Sequence, residues 1–332
     1  MIRIAINGFG RIGRPTLKIA LEKENIEVAA INDLADDKTL AHLLKYDSSY
    51  GTYGKSVETG NGEIIVGGKK IRSLTEPDPT KLPWKDFGVD IVLECSGAFT
   101  KKEDAEKHIG AGAAKVILSA PPSGDGVPVY LLGINENEYN PAENVISNGS
   151  CTTNCLAPMI KVLDEKFGVE KGFMTTVHSY TNDQRILDLP HKDLRRARGA
   201  AQNIIPTSTG AAKTVGKAMK SLEGRLNGIS MRVPTPVVSA TDFVCVLKRE
   251  ASAEEINEAY RRASAGELKN ILEVSEVELV SMDFKGNPAS AIVDLQLTMA
   301  QGNLAKVVGW YDNEWAYANR LIEMAEYISR NI

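Results

Sequence analysis

The sequence lacks the means to build a cysteine-stapled or membrane-spanning protein. Four cysteines (Cys95, Cys151, Cys155, Cys245) in 332 residues are too few for a disulfide framework. No apolar run approaches the ~18 residues that a spanning helix needs. Charge of one sign is lacking as well: 39 Lys plus Arg stand against 43 Asp plus Glu, a net charge of −4. That balance argues against a general nucleic-acid or membrane-surface binder. There are only four histidines, and no Cys or His pair shows zinc-ligand spacing backed by a second pair, so no metal is expected. Residues 1–7 pass straight into a β run and a glycine turn, with neither the length nor the cleavage site of a secretory leader. The expectation is a cytoplasmic protein with reduced thiols, in which the formal glycosylation sequon at Asn148 is discounted.

What is present is ordinary globular material, 43% apolar and 25% charged, in a chain long enough for two domains at ~150 residues each. Residues 2–6, 27–31, 90–95, 115–118 and 145–147 are Ile- and Val-rich runs, as strands buried on both faces should be. Helical stretches lie between some of them, at 11–24 and at 101–109; the latter follows the capping-box pattern Thr100-x-x-Glu103. Such alternation implies parallel pairing in a doubly wound α/β sheet. After about residue 148 the pattern changes. Helices are expected at 152–166, 210–220 and 253–264, the last capped by Ser252-x-x-Glu255. The strands at 172–178, 227–232, 239–249, 290–299 and 304–311 alternate polar with apolar residues. That suits an α+β unit with a mostly antiparallel sheet and helices on one face. Residues 313–330 read as a long amphipathic helix. Residues 179–202 carry neither period, and an irregular stretch of that length is usually functional.

Asn7-Gly8-Phe9-Gly10-Arg11-Ile12-Gly13 contains G-x-G-x-x-G between a β run and a helix, the context in which that pattern marks a Rossmann dinucleotide turn. Gly8 permits the tight turn, Gly10 admits a pyrophosphate, and Gly13 lets helix and strand pack closely. Asp33 follows Gly13 by 20 residues at the end of the second β run. There a carboxylate accepts from the ribose hydroxyls of NAD and repels the extra phosphate of NADP.

Cys151 falls in the first turn of the helix expected from 152, where dipole and free amides favour the thiolate. A cysteine nucleophile needs a base that is near in space. His178 ends an apolar strand and begins the irregular stretch, and is the histidine best placed for this, although the residues alone do not decide the pairing. His42 and His108 fall on helix faces and His191 in a charged loop, where they read as structural or solvated. Cys155, Cys95 and Cys245 read as small buried hydrophobes. For anions the sequence offers Arg185, Lys192, Arg195, Arg196 and Arg198 in the loop, Arg232 at a strand end, and Thr207-Ser208-Thr209-Gly210 at a helix start. Arg195 and Arg196 read better as a solvated or subunit-contact charge run. The near-Walker stretch 210–218 has the wrong spacing and ends in Ala218, so ATP binding is rejected.

Over essentially its whole length the chain resembles phosphorylating glyceraldehyde-3-phosphate dehydrogenases. The likeness is carried by 7–14, Ile31-Asn-Asp33, His42-Leu-Leu-Lys-Tyr-Asp47, Ser150-Cys-Thr-Thr-Asn154, His178-Ser-Tyr-Thr-Asn182, 191–198, 205–213, Arg232-Val-Pro-Thr235 and Trp310-Tyr-Asp-Asn-Glu-Trp315. The resemblance implies an NAD-binding domain over 1–150 plus 313–332 and a catalytic domain over 151–312. It implies that Cys151 attacks the aldehyde of glyceraldehyde 3-phosphate while His178 holds the thiolate and then takes the hydroxyl proton. The Cys151 amide would stabilise the oxyanion, and inorganic phosphate would release the acyl group as 1,3-bisphosphoglycerate. It further implies NAD contacts at Arg11, Ile12, Asp33, Ser119 and Asn313. Thr181 and Arg198 would grip the substrate phosphate, with Arg232 nearby, and Ser150, Thr152, Thr209 and Gly210 would line the site of the attacking one. Leu189-Pro190 matches the NAD-preferring pattern and implies a homotetramer.

Three departures stand out: Gly149 where Ala is usual, Ala316 where Gly is usual, and 120–127, which lacks a cofactor-edge lysine. Two other readings remain. Erythrose-4-phosphate dehydrogenase shares the chemistry but changes the 178–182 and 209–213 blocks. A non-catalytic NAD-binding redox sensor would use Cys151 only as an oxidisable thiol.

Overall fold

A computed structural model describes residues 1–330, which divide into two compact units. The first comprises 1–130, 137–149 and 318–330, and the second 131–136 and 150–317. The expected boundary at 313 therefore moves to 318. The reason is local: Asn313 Oδ1 accepts from the Ser179 and Ser239 hydroxyls, and Asp312 accepts from the Gly286 amide, all groups of the second unit.

In the first unit the chain runs β1 (Ile2–Asn7), α1 (Gly13–Ala20), β2 (Ile26–Asn32), α2 (Asp37–Lys45), the short pair β3 (Tyr46–Asp47) and β4 (Gly51–Thr52), and β5 (Val57–Gly60). It continues through β6 (Glu63–Val66), β7 (Lys69–Leu74), β8 (Ile91–Glu94), α3 (Lys102–Gly110), β9 (Lys115–Leu118) and β10 (Val145–Ser147). Eight strands form one sheet in the order β10-β9-β8-β1-β2-β7-β6-β5. Pairing is parallel from β10 to β7 and antiparallel through β6 and β5. Ile4, Ile6, Ile31 and Leu93 are buried along the central strands, each worth ~1.5–3 kcal/mol of removed apolar surface. Sequence order reverses between β1 and β8, so a topological switch point opens at their carboxyl ends. The expected Thr100 cap is not formed. Lys101 occupies the cap position without a side-chain bond, and the Thr100 hydroxyl pairs with Ser123 instead.

The second unit holds α4 (Cys151–Phe167), β11 (Val169–Ser179), β12 (Ile205–Ser208), α5 (Ala211–Ala218), β13 (Leu226–Val233), β14 (Ser239–Leu247) and α6 (Ala253–Ala265). It ends with β15 (Leu272–Ser275), β16 (Ala291–Asp294), β17 (Met299–Gln301), β18 (Leu304–Tyr311) and the start of α7 (Trp315–Ser329). The sheet order is β12-β13-β11-β14-β18-β16-β15, with β17 on β18. Most pairs are antiparallel, but β11 with β13 and β15 with β16 are parallel. Residues alternate inward and outward along β14, as half-buried strands require. Helix α4 packs on β14 and β18, and ends at Gly168, whose φ of 72° a side chain resists. The Ser252–Glu255 capping box of α6 is formed as expected.

Candidate active site

At the switch point of the first unit the ends of β1, β2 and β8 enclose a cleft of about 470 Å³, lined by Gly8, Gly10, Asp33 and Ser96 among others. Gly8 has φ 93°, and a Cβ there would collide with the Ser96 amide. A Cβ on Gly13 would collide with the Gly8 carbonyl, whereas Gly10 faces open space. Helix α1 has Ile12 at its cap position with no side-chain cap; the Arg14 amide bonds the Gly10 carbonyl at 3.2 Å and Pro15 has no N–H, so the Gly13 amide is the first-turn donor left to face an anion. The Asp33 oxygens accept from the Phe9 amide at 2.7 Å and the Ala35 amide at 3.0 Å. Each oxygen keeps a lone pair for a hydroxyl. No described lining residue is cationic. The cleft thus fits a dinucleotide whose ribose carries free hydroxyls.

The Arg11 guanidinium turns to Asp47 at 2.6 Å, so only its backbone faces the turn. One residue here, Cys95, differs from expectation. It lies on the cleft wall and is partly exposed rather than buried. Burial, followed by the Glu94 charge, still pushes its thiol to about 12. Ser119 follows β9, its amide bonded to the Glu94 carbonyl at 3.0 Å.

In the second unit Ser150 caps α4, its hydroxyl accepting from the Thr153 amide at 3.0 Å. Cys151 therefore sits in the first turn and is partly exposed. Its Sγ lies 3.5 Å from His178 Nε2. Parallel register sets His178 on β11 opposite Arg232 on β13. His178 Nδ1 is 2.7 Å from the Ser179 carbonyl, which only accepts, and 2.8 Å from Arg232 Nη1, which only donates. A proton on Nδ1 serves the carbonyl, and Arg232 Nη1 reaches the same carbonyl at 3.0 Å. This assignment leaves the Nε2 lone pair facing the sulfur.

Burial disfavours either charge alone. It pushes the Cys151 thiol up, outweighing the downward pull of Arg232 and of the helix-start amides, so the thiolate expected from the helix start is not favoured by itself. Burial, with Arg232 second, depresses His178 to about 3. A proton moving along the 3.5 Å line from Sγ to Nε2 would create both charges together, each beside its counter-ion. The Thr152 hydroxyl meets the Tyr311 hydroxyl at 2.8 Å beneath the sulfur. Asn313 Oδ1 takes two seryl donors, at 2.9 and 3.1 Å, which aims its amide nitrogen away from them.

The anion candidates are distributed unevenly. Arg232 Nε is buried with no hydrogen-bond partner among the described residues. Thr181 lies just past β11, its hydroxyl donating to Asp183. Arg198 is exposed and paired with Asp188 at 2.9 Å. Arg196 is tied to Asp183 and Asp193 and donates to Thr207 at 2.9 Å, so it braces the loop. Thr209 and the uncapped Gly210 stand at the start of α5. Sequence reasoning missed the His178–Arg232 contact, which only strand register reveals. It also missed the polar group beneath the cleft, which the lone carboxylate ending the run Ile91-Val-Leu-Glu94 could have signalled.

A dinucleotide cleft in one unit and a thiol–imidazole contact in the other define a thiol-dependent, dinucleotide-linked dehydrogenase. The family model "Glyceraldehyde 3-phosphate dehydrogenase, NAD binding domain" matches residues 2–102, and that of the C-terminal domain matches 150–313. The chain is 55% identical over 331 residues to glyceraldehyde-3-phosphate dehydrogenase 1 of Bacillus cereus, covering 99% of both chains. It is 54% identical over 330 residues to glyceraldehyde-3-phosphate dehydrogenase of Geobacillus stearothermophilus, covering 99% of this chain and 98% of that one. It is also 51% identical over 330 residues to the chloroplastic enzyme A of Zea mays, covering 98% of this chain and 82% of that one. The chain belongs to the glyceraldehyde-3-phosphate dehydrogenase family.

Proposed function

We propose that the protein oxidises D-glyceraldehyde 3-phosphate to 1,3-bisphosphoglycerate, using NAD and inorganic phosphate, with Cys151 as nucleophile and His178 as base. The observation that carries this is the 3.5 Å line from Cys151 Sγ to His178 Nε2 at the start of α4. Nε2 takes the thiol proton as sulfur bonds to the aldehyde carbon, and the Cys151 amide supports the oxyanion. The proton passes from Nε2 to that oxygen and a thiohemiacetal forms. NAD, when held in the cleft by Gly8, Gly10 and Asp33, would supply the acceptor for the hydride and its electron pair that this carbon gives up. Nε2 takes the hydroxyl proton in that step, leaving a thioester. Phosphate oxygen then attacks, the carbon–sulfur bond breaks, and the sulfur recovers a proton from His178.

Gly8, Gly10 and Gly13 cradle the pyrophosphate, with the Arg11 and Ile12 backbone beside it. Asp33 holds the ribose, and Ser119 and Asn313 serve the nicotinamide end. Arg232, whose Nε–H has no partner among the described residues, and Thr181 bind the substrate phosphate. Arg198 joins them by leaving Asp188, an exposed and water-screened partner. Ser150, Thr152, Thr209 and Gly210 receive the attacking phosphate. The protein works as a cytoplasmic homotetramer. Supporting this are its four free cysteines, the exposed Phe173, Val177 and Ile229 of the second sheet, and the exposed Leu189 of the loop. No helix among the described residues is long and apolar enough to cross a membrane.

The test is NAD reduction with glyceraldehyde 3-phosphate and with erythrose 4-phosphate, each with and without phosphate. A higher kcat/KM on the three-carbon aldehyde, dependent on phosphate, is expected. A preference for the four-carbon aldehyde, or no turnover of either, overturns the reading. Sedimentation equilibrium at four times the chain mass is expected for the assembly.

A further inference from the structure

Beneath the cleft of the first unit lies a polar chain that neither the glycine turn nor Asp33 uses. Glu94, at the end of β8, is 2% exposed, while His108 of α3 and Trp84 are fully buried. The direction of every hydrogen bond in this chain is fixed from its two ends. At one end the Trp84 indole can only donate, and its Nε1 lies 3.0 Å from His108 Nδ1. The ring proton is therefore on Nε2, which donates to Glu94 Oε2 at 3.1 Å.

At the other end the backbone of Glu76 fixes the amide of Asn32. The Glu76 N–H donates to Asn32 Oδ1 at 2.9 Å, and Asn32 Nδ2 donates to the Glu76 carbonyl at 2.9 Å. Asn32 Nδ2 also donates to Asn7 Oδ1 at 2.7 Å, so Asn7 Nδ2 faces Glu94 Oε2, at 2.5 Å, as a donor. The Ser96 amide donates to Glu94 Oε1 at 2.8 Å, and the Ser96 hydroxyl donates to the same oxygen. Four donors converge on one carboxylate, and a proton on either oxygen would face a donor.

Asn7, Asn32 and Ser96 belong to three different strand ends, and all three line the cleft. Phe99, a fourth lining residue, sets its ring edge against His108 with centroids 6.1 Å apart. We propose that the ionised Glu94, oriented by the Trp84–His108 pair, is a positioning residue for the dinucleotide. By holding the ends of β1, β2 and β8 at one spacing it sets NAD affinity and takes no part in turnover. This rests on the reading of the cleft as the NAD site.

Glu94→Gln places an amide NH₂ against donors on one side or the other, and neither Asn7 nor His108 can reverse without breaking the bond to Asn32 or Trp84. The expected result is an NAD Kd raised at least tenfold, with kcat at saturating NAD within twofold of the parent. His108→Gln keeps one acceptor and one donor and should hold Kd within about threefold, whereas His108→Leu removes both and should raise it tenfold or more. Trp84 emission, isolated by difference from Trp84→Phe, should move to shorter wavelength in His108→Leu and stay in His108→Gln. If Glu94→Gln does not fold, the two His108 variants decide on the same readouts. An unchanged Kd in Glu94→Gln or His108→Leu overturns the proposal, as does a loss of kcat that matches the loss of affinity. A parent protein that does not bind NAD overturns the reading of the cleft instead.

Discussion

His178 and Arg232 face each other across the parallel register of β11 and β13, with the imidazole Nδ1 2.8 Å from the guanidinium. The arginine thus touches the proposed base and keeps an Nε–H with no partner among the described residues, a donor free for an anion in the proposed site. Removing it should move both properties. In Arg232→Leu the depression of His178, now to about 3, is partly relieved, so the imidazole protonates at higher pH. Because the base must be neutral, the acid limb of kcat/KM shifts to higher pH, and KM for the aldehyde phosphate rises at least tenfold. An acid limb that stays in place would remove Arg232 from the proton chemistry.

The four cysteines should react very unequally. Burial pushes Cys95 and Cys245 to about 12 and Cys155 well above its usual value, and none of these three faces a base. Iodoacetamide at neutral pH should therefore label Cys151 first, as peptide mass mapping would record. His178→Asn should slow that labelling and lower kcat by about a hundredfold or more, the usual size of a lost general base. Cys151→Ser should abolish turnover while NAD still binds. Retained turnover excludes covalent catalysis.

In the proposed ribose site the Asp33 charge would lie where a 2′-phosphate has to sit. Asp33→Ala should weaken NAD and improve NADP, raising the NADP/NAD ratio of kcat/KM at least tenfold. An unchanged ratio removes Asp33 from the ribose site.

Arg198 is expected to serve the substrate and not the thiol. Arg198→Ala should raise KM for glyceraldehyde 3-phosphate while leaving the rate of Cys151 alkylation unchanged. A slower alkylation would tie this residue to the nucleophile.

Local chemistry was legible in the sequence. The glycine turn, Asp33 at a strand end, Cys151 at a helix start and the Ser252 cap each depend on neighbours within a few residues. Most strands of both sheets were legible too, because they are apolar or alternating. The three-stranded meander from Val57 to Leu74 was not; its first strand, β5, is largely exposed and carries glycine and charge where apolar residues would mark a strand. Contacts between distant segments stayed hidden as well. His178 meets Arg232 across 54 residues, and Asn7 meets Glu94 across 87. The influences on the thiol divide in the same way. A helix start can be read from sequence, but the water excluded around Cys151 is a property of the assembled unit.

His178 and Arg232 are anchored in a strand ladder, whereas Thr181 and Arg198 ride on irregular chain beyond its edge. Of the three groups proposed for the sugar phosphate, two therefore rest on less constrained backbone than the proposed base, and only Arg232 shares its ladder. Descendants of this protein could retune which aldehyde they welcome by editing the loop alone, and inherit the acylation apparatus untouched.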